Sequence, residues 1–129
     1  MSRVVLDASA LLAALRGEEG GAKVAEVLAD ALMTTVNLSE VVSHYARFGT
    51  PEPRIHEILD RLRFERVPFD DDLAYVAGLL TPKTRSAGLS FGDRACLALA
   101  LRLGVKVVTA DRIWSRIADA VGVEIEFIR

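Results

Sequence analysis

The sequence predicts an α/β fold, a central and mostly parallel sheet with helices on both faces. Three observations predict it. Short aliphatic or β-branched runs (Val4-Val5-Leu6, Met33-Thr34-Thr35-Val36, Val105 to Val108) alternate with longer helical stretches, the order that crossover helices impose on a parallel sheet. One helix, residues 91–103, is apolar nearly all round through Ala95, Cys96, Leu97, Ala98, Leu99, Ala100 and Leu101, so it belongs inside a domain. The 129 residues are 51% hydrophobic and 26% charged, enough for one domain spanning residues 1–129 with a sizeable core.

Each element has its own local reason. Val4-Val5-Leu6 is a candidate central strand, and Asp7 ends it where residues 8–15 turn helical. Gly17, Gly20 and Gly21 interrupt that helix. Val24, Val27, Leu28 and Ala31 have amphipathic spacing over residues 23–32, and residues 33–36 suit a second strand. Asn37 with Glu40 three residues on reads as a capping box opening a helix towards Phe48. A turn at residues 49–53 leads to the stripe Ile55, Ile58, Leu59, Leu62, with Glu57 and Arg61 placed to pair outside it. Residues 66–69 form a weak strand candidate, and Pro68 favours an edge or an end. Asp70-Asp71-Asp72 reads as an acidic first turn, complementing the dipole of a helix carrying Leu73, Val76, Ala77 and Leu80, in preference to a metal site.

Residues 81–88 read as a polar loop. Ser90 is a candidate N-cap, Asp93 completes its capping box, and Gly104 fits the left-handed stop of the helix between them. Val105, Val107 and Val108 form a strand buried on both faces that runs out at Thr109-Ala110-Asp111. A short helix over residues 112–120 ends at Gly122, and residues 123–128 alternate apolar positions with Glu124 and Glu126, as an edge strand does.

Composition narrows the function. The single cysteine, Cys96, is read as a small core residue, permits no disulfide framework within one chain and suits a reducing cytosol. Met1-Ser2-Arg3 runs directly into the first strand with no signal peptide, and no apolar run is long enough to span a membrane, so a cytoplasmic location is expected. The net charge of −2 argues against bulk nucleic-acid affinity. Residues 83–116, however, hold seven basic side chains against only Asp93 and Asp111, a basic surface if those two are neutralised and otherwise an ordinary solvated face.

Four acids stand where chemistry is expected. Asp7 and Asp111 follow the C-terminal ends of predicted strands, and Glu40 and Asp93 sit in the first turns of predicted helices. In open α/β sheets that edge lines the ligand crevice. Carboxylates crowded there resist ionising together, and a hard divalent cation relieves them. Oxygen ligands without a His or Cys cluster point to magnesium or manganese. Such a site suits metal-assisted phosphodiester hydrolysis. Each acid has a structural alternative as a helix cap.

The segments Val4-Val5-Leu6-Asp7-Ala8-Ser9, the isolated Glu40, Leu89-Ser90-Phe91-Gly92-Asp93 and Val107-Val108-Thr109-Ala110-Asp111 followed by Trp114 resemble the PIN-domain ribonucleases, above all the VapC-type toxins of prokaryotic toxin–antitoxin pairs. The resemblance runs the length of the chain. It implies a PIN-like, Rossmann-like sheet and a magnesium- or manganese-dependent endoribonuclease. It further implies that Asp7, Glu40, Asp93 and Asp111 bind the metal and that Ser9 and Thr109 support them. A homodimer and inhibition by a small antitoxin are implied too. Some members carry a further acid just after the position of Asp111; here Arg112, Ile113, Trp114 and Ser115 follow, which leaves a second metal unsupported. Lys83, Arg85, Arg94 and Arg112 are candidate RNA phosphate contacts, each equally placed to be plain surface or an antitoxin contact. His44 and His56 read as incidental helix residues.

Two other functions fit the same residues. One is a PIN nuclease of RNA processing outside toxin–antitoxin systems. The other is a catalytically idle domain that binds a metal or a partner, such as a phosphate-accepting regulatory module. That module wants a lysine at a late strand end, whereas Lys106 begins its strand.

Overall fold

The computed structural model describes residues 2–129. The chain begins with β1 (Val4–Leu6), whose three residues are all buried, and passes through Asp7 into α1 (Ala8–Arg16). Next come α2 (Gly21–Val27), a 3₁₀ turn (Leu28–Asp30), β2 (Ala31–Thr34), α3 (Thr35–Arg47) and α4 (Glu52–Leu59). After β3 (Glu65–Val67) come α5 (Asp71–Leu79), α6 (Thr81–Thr84) and a 3₁₀ turn (Arg85–Ala87). The long helix α7 (Phe91–Leu103) leads into β4 (Lys106–Thr109). A 3₁₀ turn (Arg112–Arg116), α8 (Ala118–Val121) and β5 (Ile125–Phe127) close the described chain.

The five strands form one parallel sheet in the order β3-β2-β1-β4-β5. The order turns around at β1: the chain builds outward through β2 and β3, then returns across the sheet to lay β4 on the other side. Helices cover both faces. Val5, Leu32 and Val107 point to the side of α5, α7 and the buried Trp114. Val4, Leu6, Met33 and Val108 point to the side of α1, α2, α3 and α4. This alternation is the pleat expected of strands buried on both faces.

α7 is the central support. Ala95 to Ala100 are buried without a break, while Phe91, Leu101 and Leu103 at its two ends remain exposed. Ser90 caps its start in a two-way capping box with Asp93, and Gly104 (φ 66°) ends it. The three aspartates at 70–72 behave as an acidic helix start: Asp70 accepts from the Leu73 amide and pairs with Arg102, and Asp71 and Asp72 occupy the first turn. Among the described residues no helix is long and apolar enough to cross a membrane.

Five local expectations are corrected. The second strand is residues 31–34, two residues earlier than expected, because Ala31 fits a helical spacing as well as it fits a strand. Consequently α3 opens at Thr35 with Thr34 as its cap, accepting from the Asn37 amide, and the Asn37–Glu40 capping box does not form. Glu57 pairs with Arg54, since α4 ends at Leu59 and puts Arg61 outside the helix. Residues 81–88 are a short helix and a 3₁₀ turn, compatible with Pro82 near a helix start and held by the Thr84 hydroxyl donating to the Leu80 carbonyl. The helix expected over residues 112–120 divides into a 3₁₀ turn and α8.

Candidate active site

β1 and β4 pair in parallel with Leu6 opposite Val108, so the next residues, Asp7 just beyond β1 and Thr109 at the end of β4, stand side by side. This is the point where the strand order turns around, the place where open α/β sheets form their ligand crevice. Asp7 is 4% exposed and caps α1, its Oδ1 accepting from the Ala10 amide at 2.9 Å. Its carboxylate also accepts from the Ser9 hydroxyl (2.8 and 2.9 Å) and from the Thr109 hydroxyl (2.6 Å). Those hydroxyls accept in turn from the backbone beyond β4: the Ala110 amide reaches Ser9 Oγ, and the Asp111 amide reaches Thr109 Oγ1, both at 3.0 Å. Ser9 and Thr109 thus tie two loops a hundred residues apart to one carboxylate.

Asn37 does the same work on the other side. It is buried in the first turn of α3, with its Oδ1 accepting from the Thr34 hydroxyl at 2.7 Å. Its Nδ2 donates both to Glu40 Oε1 and to the Gly92 carbonyl, each at 2.9 Å. Glu40 therefore lies in the second turn of α3, its carboxylate packed on Gly92 so closely that a Cβ there would overlap it. Asp93 follows in α7, with Oδ2 accepting from the Ser90 amide at 2.9 Å. Asp111 caps the 3₁₀ turn after β4 through the Ile113 amide (3.1 Å) and is exposed.

The charges of these groups act on one another through Asp93. Burial pushes Asp7 from the ordinary 3.8 up to about 6, against hydrogen bonds from Thr109, Ala10 and Ser9 that lower it, and Asp93 adds repulsion. Burial also raises Glu40, with Asn37 opposing and Asp93 contributing. Asp93 is raised by burial first, and the charge of Asp111 adds to it. None of the four acids forms an ion pair among the described residues.

The cap and ligand readings of these acids are compatible, because a carboxylate has two oxygens. Glu40 Oε2, Asp93 Oδ1 and Asp111 Oδ2 accept no hydrogen bond among the described residues. As they stand, however, no three His, Cys, Asp or Glu side chains of the described residues are grouped closely enough to enclose a metal. Each carboxylate is held by its own local hydrogen bond. The donor set still fits a hard divalent ion: all oxygen, buried in part, and with only the neighbouring Arg94 charge acting on Asp93 to offset it.

The basic candidates divide. Lys83 and Arg85 are exposed, with no ion pair among the described residues. Arg94 donates to the Leu89 carbonyl at 3.3 Å, and its Nε is buried without a partner. Arg112 donates to the Arg129 carbonyl and lies 5.1 Å over the Phe127 ring. Sequence reasoning missed Asn37 as a bridge and Gly92 as its contact. The Asn-x-x-Glu spacing signals the first, and nothing local signals the second. A separate apolar hollow of about 390 Å³ between α3 and α4, lined by Leu38, Val42, Ile55 and Leu59, contains none of the four acids.

With this arrangement in view, the comparisons fall into place. Residues 4–120 match the PIN domain family, and the chain belongs to it. PIN domains are nucleases, so the class of protein is a hydrolase of nucleic-acid backbones. No curated protein sequence matches the chain. Among solved structures, DNA-bound VapBC from Salmonella typhimurium is similar over all of both chains at 19% identity and a TM-score of 0.77. FitAcB from Neisseria gonorrhoeae is similar over 97% of each chain at 20% identity and a TM-score of 0.75. VapBC-5 from Mycobacterium tuberculosis, of the VapBC family of toxin–antitoxin systems, is similar over 98% of this chain and 99% of its own at 23% identity and a TM-score of 0.65. At these identities the likeness is one of fold.

Proposed function

We propose that this chain is a divalent-cation-dependent endoribonuclease, the cytoplasmic toxin of a toxin–antitoxin pair, with Asp7, Glu40, Asp93 and Asp111 as its metal-binding and catalytic acids. The observation that carries the reading is that the charge of Asp93 acts on both Asp7 and Glu40 and that of Asp111 on Asp93, while among the described residues none of the four acids forms an ion pair. The chain-length likeness to VapBC complexes supports the toxin part.

A magnesium or manganese ion held there would polarise the phosphate and lower the pKa of an attacking water. The protein's own contribution is placement. Ser9 and Thr109 hold Asp7 in one orientation by hydrogen bonds, the role of hydroxyls beside metal carboxylates. Asn37 holds Glu40 against the start of α7 and so sets its spacing from Asp93. Asp111, on the exposed rim, is free to turn its second oxygen inward. Lys83 and Arg85, with unpaired guanidinium or ammonium groups, are the stronger phosphate contacts. Arg94 and Arg112 must first leave their carbonyl partners.

Purified protein incubated with magnesium or manganese should cut RNA, and the Asp93→Asn variant should not. No cutting with either ion discards the nuclease. Brief expression should arrest growth, and co-expression of a small reading frame encoded just upstream should relieve it. Arrest by Asp93→Asn as well would discard the metal mechanism.

A further inference from the structure

Two hollows meet at Glu40. One, of about 580 Å³, lies between the starts of α3 and α7 and is lined by Ser39, Glu40, Ser90, Phe91 and Gly92 among others. The second, of about 460 Å³, lies between α1 and α3 and is lined by Ala8, Leu12, Ser39, Glu40, His44 and Arg47. They share Ser39 and Glu40, and each falls within the roughly 300–1,000 Å³ that ligand pockets occupy. Both are open and shallow, as a groove for an extended chain is, in contrast to the apolar hollow between α3 and α4.

The two ends differ in chemistry. At the first, Phe91 is 51% exposed although it opens the most buried helix of the fold. Its ring packs edge-on against Phe69, with centroids 5.4 Å apart and planes at 88°, which steadies it while leaving much of its surface to solvent. It stands two residues before Asp93. At the second end the exposed Arg47 lies beside His44, on which the charges of Arg16 and Arg47 both act. Glu40 lies between an exposed aromatic ring and the exposed Arg47 guanidinium.

We propose that the two hollows form one track for single-stranded RNA, with Phe91 as the platform on which a base beside the scissile phosphate stacks and Arg47 as a phosphate contact on the far side of Glu40. This rests on the nuclease reading and adds to it a path and a substrate-positioning side chain. An aromatic ring steadied from behind suits base stacking, which tolerates every base and does not need a helical partner. The first hollow sets the Phe91 ring beside the Ser39 and Ser90 hydroxyls, surfaces for a base and for the sugar–phosphate chain, and the second adds the Arg47 guanidinium.

The test uses short single-stranded RNA carrying 2-aminopurine at successive positions around the mapped cut. In the non-cleaving Asp93→Asn protein with magnesium, fluorescence should be quenched at one position next to the cut. Phe91→Leu in that background should remove the quenching, and Phe91→Tyr should keep it. In otherwise wild-type protein, Phe91→Leu should lower kcat/KM between roughly fivefold and a hundredfold, and Phe91→Tyr should retain most of it. Arg47→Ala, on the exposed surface, should flatten the slope of log affinity against log salt by about 0.7. Melting midpoints show that each variant is folded; should Phe91→Leu not fold, the quenching by Phe91→Tyr and the Arg47→Ala slope carry the decision.

Cutting and quenching unchanged in Phe91→Leu would overturn the platform, leave the nuclease standing and assign Phe91 to a protein contact. An unchanged salt slope in Arg47→Ala would overturn the far end of the track. Absence of RNA cutting by the wild type under any ion, together with absence of quenching, would overturn both the track and the nuclease.

Discussion

Asp7 is the residue where burial and charge conflict most. Folding lifts its pKa from 3.8 to about 6, chiefly by desolvation, so the native chain binds this proton more tightly than the unfolded one. Stability therefore falls as pH rises from about 4 to about 6 and stays lower above it, by roughly 3 kcal/mol for this group alone. Asn at this position keeps an N-cap oxygen and carries no charge. In metal-free buffer, urea unfolding of Asp7→Asn should be flatter than wild type between pH 4 and 6 and should show the variant more stable at pH 8, by about 1–3 kcal/mol, while RNA cutting is lost. A variant less stable at pH 8 would mean that Asp7 is a structural cap whose charge the fold needs.

Gly92 makes a second residue-scale case. It sits inside a helix, where Ala is intrinsically better by roughly 0.5–1 kcal/mol. Yet a Cβ there would overlap the Glu40 carboxylate. Gly92→Ala should displace Glu40 and cost most of the cleavage activity, with little change in the denaturation midpoint, because Glu40 can swing into solvent. Full activity in Gly92→Ala would show that Glu40 need not occupy its observed position.

At the scale of elements, helix starts were the best-signalled features in the chain. Asp7, Asp70, Ser90 and Asp111 each accept from an amide two or three residues on, a pattern confined to one turn of chain. Ser90→Ala should cost about 1 kcal/mol in chemical denaturation. RNA cutting should survive within a few fold, since the Ser90 amide still holds Asp93. The failure at α3 has an equally local cause. Asn37 and Glu40 have capping-box spacing, but Thr34 three residues earlier caps the helix instead, accepting from the Asn37 amide and donating its hydroxyl to Asn37 Oδ1. Two acceptable caps in four residues leave the boundary to packing, and β2 draws Ala31 and Leu32 into the sheet beside Val4 and Val5.

For the whole molecule the decisive question is whether a cation offsets the cost of burying these acids, since burial is the largest cause of the raised pKa of Asp7, Glu40 and Asp93 and repulsion a smaller one. A cation that binds only the folded chain stabilises it by mass action, about 2.7 kcal/mol at a hundred times its dissociation constant. Manganese or magnesium should accordingly raise the melting midpoint of the wild type by several degrees, and Asp7→Asn and Asp93→Asn should lose most of that rise. A wild-type midpoint indifferent to both ions would remove the metal from the proposal.

The strand-and-helix alternation, the buried α7 and the positions of Asp7, Asp93 and Asp111 at element boundaries were legible in the sequence, because each depends on side-chain periodicity or on a cap within a few residues; Glu40, expected in a first turn, lies in the second turn of α3. What only the tertiary structure decided is which distant groups meet. The Thr109 hydroxyl donates to Asp7 across 102 residues, and Asn37 reaches the Gly92 carbonyl across 55. Such contacts follow from the order β3-β2-β1-β4-β5, which sets β4 against β1, and from α7 crossing beside α3. Local sequence specifies an element through interactions within a turn or two of chain. The partners of that element are chosen by burying its apolar faces against the rest of the fold, and no single segment carries that choice.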